Sequence, residues 1–120
     1  MSKRRASPEI RDYVDDIIEM IDDITEFTKG LSLQKFKKDK KTVYAVIRCL
    51  EVIGKASNQI PSSIKKAHSE IPWDSIAGMR NKLIHEYFGA DMMIVWSTIQ
   101  NDLESLAAVV QEIRKELDER

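Results

Sequence analysis

The sequence predicts an all-α protein, an antiparallel bundle of four long helices plus a short one. Aliphatic residues recur at alternating spacings of three and four, the pattern of a helix that buries one face. Only four glycines and three prolines interrupt the 120 residues, which leaves room for long helices. This length fits one domain, and we predict a single domain over residues 1–120, with residues 1–7 as a flexible N-terminus.

The first predicted helix starts with Ser7 as its N-cap and Pro8 as its first helical residue, and it extends to about Thr28. Gly30 is well placed to close it. The lysine-rich residues 31–41 are predicted as a turn or a frayed helix. The face of the first helix that we expect to be buried is formed by Ile10, Val14, Ile17, Ile21 and Ile24.

Asp39 is the predicted cap of the second long helix, which should end near Ile60, just before Pro61. A short helix is expected over residues 62–69. The core positions of the second long helix are Val43, Val46, Ile47, Leu50 and Ile53.

Two more long helices complete the predicted bundle. The first covers residues 73–88, with Gly89 after its end, and Asp91 is the expected cap of the second. The second is predicted to be unbroken, because its apolar positions alternate by four and three throughout. These positions, which suit nearly antiparallel packing in a bundle core, are Met92, Trp96, Ile99, Leu103, Leu106, Val110, Ile113 and Leu117.

The net charge of −1 conceals two oppositely charged segments. Residues 12–26 carry seven acids, and residues 29–41 carry six lysines. Runs of this kind usually form solvated surface, but the lysines are also able to attract the phosphates of a nucleic acid. The lysines are Lys29, Lys35, Lys37, Lys38, Lys40 and Lys41.

Several classes of protein are disfavoured by the sequence. No apolar run approaches the roughly 18 residues of a membrane span, and the basic N-terminus lacks the apolar part of a signal peptide. Together with a lone Cys49, which we expect to be buried, this predicts a cytoplasmic protein without membrane contact. No metal-ligand spacing and no glycine-rich phosphate loop is present, so neither a metal nor a cofactor is predicted. His68 is expected to be a surface residue.

In the segment RNKLIHEYFG, residues 80–89, polar and charged residues are interleaved with the apolar residues of a predicted packing helix. On an ideal helix, Arg80 falls in the middle of the apolar arc with Tyr87 beside it, while Asn81 and His85 lie at its edge. A buried arginine needs a partner, and one interpretation is an ion pair with an acid from another helix, covered by Tyr87. The other interpretation is a cleft or subunit interface where Arg80 is a fixed cation and His85 titrates near neutral pH.

An arginine and a histidine are sufficient groups for cleaving RNA without a metal ion. The 2′-hydroxyl loses a proton as it attacks phosphorus, the leaving 5′-oxygen gains one, and a histidine is able to do either. A guanidinium stabilises the extra charge on the phosphoryl oxygens in the transition state. One chain supplies one such histidine, and a two-fold dimer would supply both an acid and a base.

The pattern Arg80-Asn81-x-x-x-His85-x-Tyr87 resembles the R-x4-H-x-Y signature of HepT-type toxins in the HEPN superfamily. The segment WDSIAGM at residues 73–79, which leads into the motif, and LEVIGKA at residues 50–56 agree with the same family. The resemblance covers roughly residues 8–115. It implies a HEPN-like helical homodimer whose two motif helices line a composite ribonuclease cleft that needs no metal.

The resemblance also implies the role of each motif residue. Arg80 and His85 are the catalytic pair, Asn81 supports them, and RNA is the substrate. The chain would be the toxin of a type II/VII-like toxin–antitoxin pair, with an MntA-type minimal nucleotidyltransferase antitoxin that transfers AMP to Tyr87. Two alternatives stay open: a non-catalytic nucleotide-binding or docking subunit of such a nucleotidyltransferase, and a scaffold dimer with a buried Arg80 ion pair.

Overall fold

Two long helices, α1 (Ile10–Thr28) and α3 (Lys40–Ser57), pack against each other in the computed structural model. The structure describes residues 9–78 and 92–119. Five further helical segments lie within these ranges: α2 (Leu33–Lys38), α4 (Ser62–Ala67), α5 (residues 73–78), α6 (Met92–Asn101) and α7 (Leu103–Asp118). The described residues contain no strand, and the prediction of an all-α fold is confirmed. None of the described helices is long and apolar enough to cross a bilayer.

Helix α1 buries the aliphatic face that its spacing predicts. Val14, Ile17 and Ile24 are fully buried and Ile21 is nearly so, whereas the predicted Ile10 is only half-buried. The helix ends as predicted, since Gly30 follows it with a φ of 77°, a conformation that glycine adopts without steric cost.

The start of α1 lies later than predicted. Ser7 and Pro8 are outside the described residues, and Glu9 is the N-cap. The backbone N–H of Glu9 donates to the Asp12 carboxylate over 2.9 Å, which satisfies a helix-end donor that otherwise has no partner. Asp12, the third residue of the helix, therefore stabilises a helix start at Glu9.

Helix α7 runs antiparallel to α1 and packs on it. Arg11 is 2.9 Å from Asp118, and Nε of Arg114 donates to Asp15 over 2.7 Å, so the numbering rises along one helix as it falls along the other. These ion pairs are partly exposed, and such pairs contribute about 0–1 kcal/mol each. Burial of the aliphatic faces therefore holds the two helices together, and the ion pairs help to fix their register.

Helix α3 begins at the predicted cap. The Asp39 carboxylate accepts from Oγ1 and the backbone N–H of Thr42, at 2.7 and 3.2 Å, and these hydrogen bonds lower the pKa of Asp39. The predicted core positions are all buried, as is Cys49. The helix ends at Ser57, earlier than predicted, and Ile60 is buried in the following turn. A residue before proline avoids the helical region, and Pro61 instead starts α4.

Residues 33–38 form a defined helix where a turn or frayed helix was predicted. Ser32 caps α2 by accepting from the Lys35 N–H over 3.2 Å. Phe36 is fully buried, and its ring centroid lies 5.1 Å from that of Trp96 in α6. This aromatic contact helps to attach the lysine-rich segment to the bundle, and it joins distant residues whose contact local spacing does not reveal.

The prediction of one unbroken final helix is wrong. Asp102 interrupts it and separates α6 from α7. Just before the interruption, Oγ1 of the buried Thr98 donates to the carbonyl of Ile94 over 2.9 Å, a back-bond that bends helices. Burial of the seam differs on the two sides of Asp102: Trp96 and its α6 neighbours in the seam are half-buried, whereas Leu103, Leu106, Val110 and Ile113 are buried.

Candidate functional site

The four predicted site residues, Arg80, Asn81, His85 and Tyr87, lie outside the described residues, as do the predicted helix boundaries Gly89 and Asp91. The structure therefore defines the site through the two segments that enclose the motif in the sequence. These are α5, which precedes it, and α6, which follows it. Both segments are firmly packed, by different contacts.

The segment before the motif is anchored by Trp73. Its indole is buried, and Nε1 donates to the carbonyl of His68 over 3.0 Å. The same carbonyl accepts from the Ile71 N–H over 3.2 Å, so one turn is closed by two donors. Ile71 is buried as well. Trp73 therefore fixes the start of α5 to the turn that precedes it.

His68 is buried, and its prediction as a surface residue was wrong. Its side chain is 8% exposed, and Nε2 lies 3.5 Å from the Glu116 carboxylate on α7. The turn after α4 places the His68 carbonyl within hydrogen-bond distance of the Trp73 indole. The same turn places the His68 ring beside Glu116 of α7. Sequence spacing did not reveal this contact, since His68 and Glu116 are far apart in the chain.

The segment after the motif is held through both α2 and the core. Val95 and Thr98 of α6 are buried, and Trp96 packs on Phe36. Met93 and Ile94 are exposed on the other side of the helix. Helix α6 therefore has one face fixed to the bundle, and its first turn exposes two apolar side chains.

Both segments meet the same region of the core. Ile76 of α5 and Thr98 of α6 line one small apolar cavity, together with residues of α3 and α7. The other lining residues are Leu50, Ile53, Asp102, Leu103 and Leu106. The helices immediately before and after the motif therefore meet the core at one place.

Two open depressions occur on the described surface. One of about 450 Å³ follows the turn from α4 to α5, where Lys65 and Lys66 face Trp73 and Asp74. Another of about 310 Å³ lies between α1 and α3, with Tyr13 among its lining residues. Among residues 9–78 and 92–119, no group of three or more histidines, cysteines or acids is arranged to hold a metal ion.

Comparison with known proteins identifies the family. The sequence model of the HepT-like ribonucleases matches residues 17–113, which include all four predicted site positions and both flanking helices. The chain belongs to the HepT-like ribonuclease family. The resemblance based on the motif is thus confirmed by a match over most of the chain.

Individual HepT-like relatives agree over nearly their full lengths. A protein of Thermococcus cleftensis named "Probable ribonuclease HepT" is 49% identical over 105 residues, which are 88% of this chain and 96% of that protein. A protein of Methanocaldococcus jannaschii named "Putative RNase" is 42% identical over 112 residues, 93% of this chain and 97% of the relative. Another of that name, from Caldanaerobacter subterraneus, is 42% identical over 103 residues, 86% and 92% of the two chains. No solved structure matches significantly.

The Trp73 anchor has a measurable role in the stability of this HepT-like domain. Trp73→Phe removes the indole donor but leaves the His68 carbonyl paired with Ile71, so the free energy of unfolding should fall by only about 0.5–1.5 kcal/mol. Trp73→Ala also empties a buried site and should cost about 3–5 kcal/mol. Urea unfolding at a fixed protein concentration measures both. Equal losses in the two variants would contradict the view that ring burial dominates.

Proposed function

We propose that the chain is a metal-independent endoribonuclease in which Arg80 and His85 perform the chemistry and Asn81 supports them. The observation that carries the proposal is the family match over residues 17–113, which contains the complete Arg80-x4-His85-x-Tyr87 pattern. The names of the relatives, ribonuclease or RNase, agree with it. The anchored flanks, Trp73 and Ile76 before the motif and Val95 after it, give such a site the rigid support that catalysis needs.

The reaction is a transesterification within the RNA strand. The 2′-oxygen loses its proton to a base and forms a bond to phosphorus, and the bond from phosphorus to the 5′-oxygen breaks as that oxygen takes a proton. The products are a 2′,3′-cyclic phosphate and a free 5′-hydroxyl. His85 transfers a proton, a role worth about 10²- to 10⁴-fold in rate, and Arg80 stabilises the charge on the phosphoryl oxygens.

A homodimer supplies the second proton-transfer group. The chain has two histidines, and His68 is buried against Glu116 with its side chain 8% exposed, away from any RNA strand. The remaining histidine, His85, acts as either acid or base in one subunit. A second copy of His85 across a two-fold axis provides the complementary role, which is the physical argument for a composite cleft.

The proposal includes control by a partner. The chain is the toxin of a type II/VII-like toxin–antitoxin pair, and an MntA-like minimal nucleotidyltransferase adds AMP to Tyr87. Each added phosphate brings negative charge close in sequence to Arg80 and competes with RNA phosphate for that cation. Modification therefore switches the ribonuclease off without unfolding it.

Substitution of the motif residues tests the catalytic roles. Arg80→Ala and His85→Ala should each lower the rate of RNA cleavage by about 10²- to 10⁴-fold, since each removes one transition-state interaction. Lys82→Ala is the matched control, a neighbouring cation with no assigned role, and should cleave at close to the parent rate. Cleavage of a labelled RNA in EDTA, with circular dichroism to verify folding, measures all three. Undiminished cleavage in both motif variants would contradict the assignment of Arg80 and His85 as the catalytic residues.

Intact-mass analysis tests the modification of Tyr87. After coexpression with the nucleotidyltransferase encoded beside it, the chain should gain the mass of one or more AMP units and lose RNA cleavage activity. Tyr87→Phe should remain unmodified and active, since only the acceptor hydroxyl has been removed. Tyr44→Phe, at an exposed tyrosine elsewhere, should be modified like the parent. AMP addition to Tyr87→Phe would show that the acceptor is another residue.

A further inference from the structure

Helix α2 and the residues on either side of it carry a concentrated basic surface. Residues 29–41 contain six lysines and one acid, a net charge of +5 in a chain whose overall charge is −1. All six lysines are exposed. We call them the lysine surface: Lys29, Lys35, Lys37, Lys38, Lys40 and Lys41.

The lysine surface is held in a defined place. Ser32 caps α2 at one end, Asp39 caps α3 at the other, and Phe36 between them is fully buried. The segment is therefore a short helix fixed at its centre and at both ends. Its lysine side chains extend from ordered backbone, so their charges stay together on one part of the molecule.

Within the part of the chain that the structure describes, the lysine surface keeps an excess of positive charge. Among the described residues, none of its six lysines forms an ion pair, whereas Arg11, Arg48 and Arg114 all do. The one acid within the segment, Asp39, is engaged by the hydroxyl and N–H of Thr42. The chain as a whole is nearly neutral, so the lysine surface is where a polyanion would be attracted by positive charge.

The lysine surface is attached directly to the helix that follows the motif. Phe36 packs on Trp96 of α6 with 5.1 Å between ring centroids, and α6 is the helix immediately after residues 79–91. A cationic surface on one side of α6 is thus connected, through a single aromatic contact, to the chain segment that contains Arg80 and His85.

We propose that the lysine surface binds the phosphates of the RNA strand that flank the bond to be cleaved. This rests on the ribonuclease function proposed above and adds to it the means by which the strand is held. Lysines are compact charges on flexible stems, which suits a phosphate backbone read without sequence preference. Protein interfaces are depleted in lysine and have an apolar centre, whereas the two apolar residues of α2 are buried (Phe36) or half-buried (Leu33).

Charge removal on α2 tests the surface. The triple variant Lys35→Gln, Lys37→Gln, Lys38→Gln, made with His85→Ala so that RNA is not cut, should bind a mixed-sequence single-stranded RNA about 10- to 100-fold more weakly at 0.1 M salt. The slope of log affinity against log salt should decrease by up to about 2, because each phosphate contact contributes about 0.7. Fluorescence anisotropy measures both quantities.

The matched control removes the same charge at the opposite end of the bundle. Lys65, Lys66 and Lys115 belong to α4 and to the last turn of α7, which meet where His68 contacts Glu116. Their triple replacement by glutamine should leave RNA affinity within about twofold of the parent. Equal weakening by both triple variants would overturn the proposal, since net charge alone would then explain the binding.

Two further readouts separate this proposal from others. If the α2 variant changes the oligomeric state in light scattering and not the RNA affinity, the lysines face the acidic segment of a second copy, and the proposal is wrong. Cleavage is measured separately with His85 intact. If the parent cleaves RNA and the α2 variant cleaves it at the same rate, the role of the lysine surface is refuted but the ribonuclease function stands. If RNA binding depends on the lysines but the parent does not cleave RNA, the lysine surface is supported and the ribonuclease function is refuted.

Discussion

The packing of Ile76 and Thr98 around one apolar cavity is the constraint on which the proposed site depends. These residues belong to the helices before and after the motif, and both meet Leu50 of α3 and Leu103 of α7 in the same part of the core. The two helices that enclose the motif in the sequence are thus both attached to one part of the core. Their positions are set on folding, before any RNA binds.

Charge is distributed around this apolar framework in a way that matches the proposed chemistry. One acid on α1, Asp15, forms an ion pair with Arg114 of α7, whereas the lysines of α2 have no acidic partner among the described residues. Phe36 joins those lysines to α6, the helix that follows the motif. In the proposed function, cleavage and control by Tyr87 would thus belong to the motif segment between α5 and α6, and RNA binding would belong to α2, which packs on α6.

The sequence predicted the parts of the fold that depend on local chemistry. The buried face of α1, the glycine that ends it and the Asp39 cap follow from spacing and from the side chains themselves. The burial of His68 and the interruption at Asp102 were missed, because the contact with Glu116 joins residues far apart in the chain and the apolar spacing continues unchanged across Asp102. For the candidate site, family resemblance and motif chemistry identified residues, whereas the anchoring of their flanks required the structure.

The rate of RNA cleavage in Ile76→Ala tests most directly whether core packing positions the motif. Ile47→Ala is the matched control, because both isoleucines are 7% exposed and Ile47 does not line the shared cavity. Both should lose about 2–5 kcal/mol of stability. At a temperature where both stay folded, we expect Ile76→Ala to cleave about tenfold or more slowly and Ile47→Ala to retain the parent rate. Equal rates in the two variants would contradict the account.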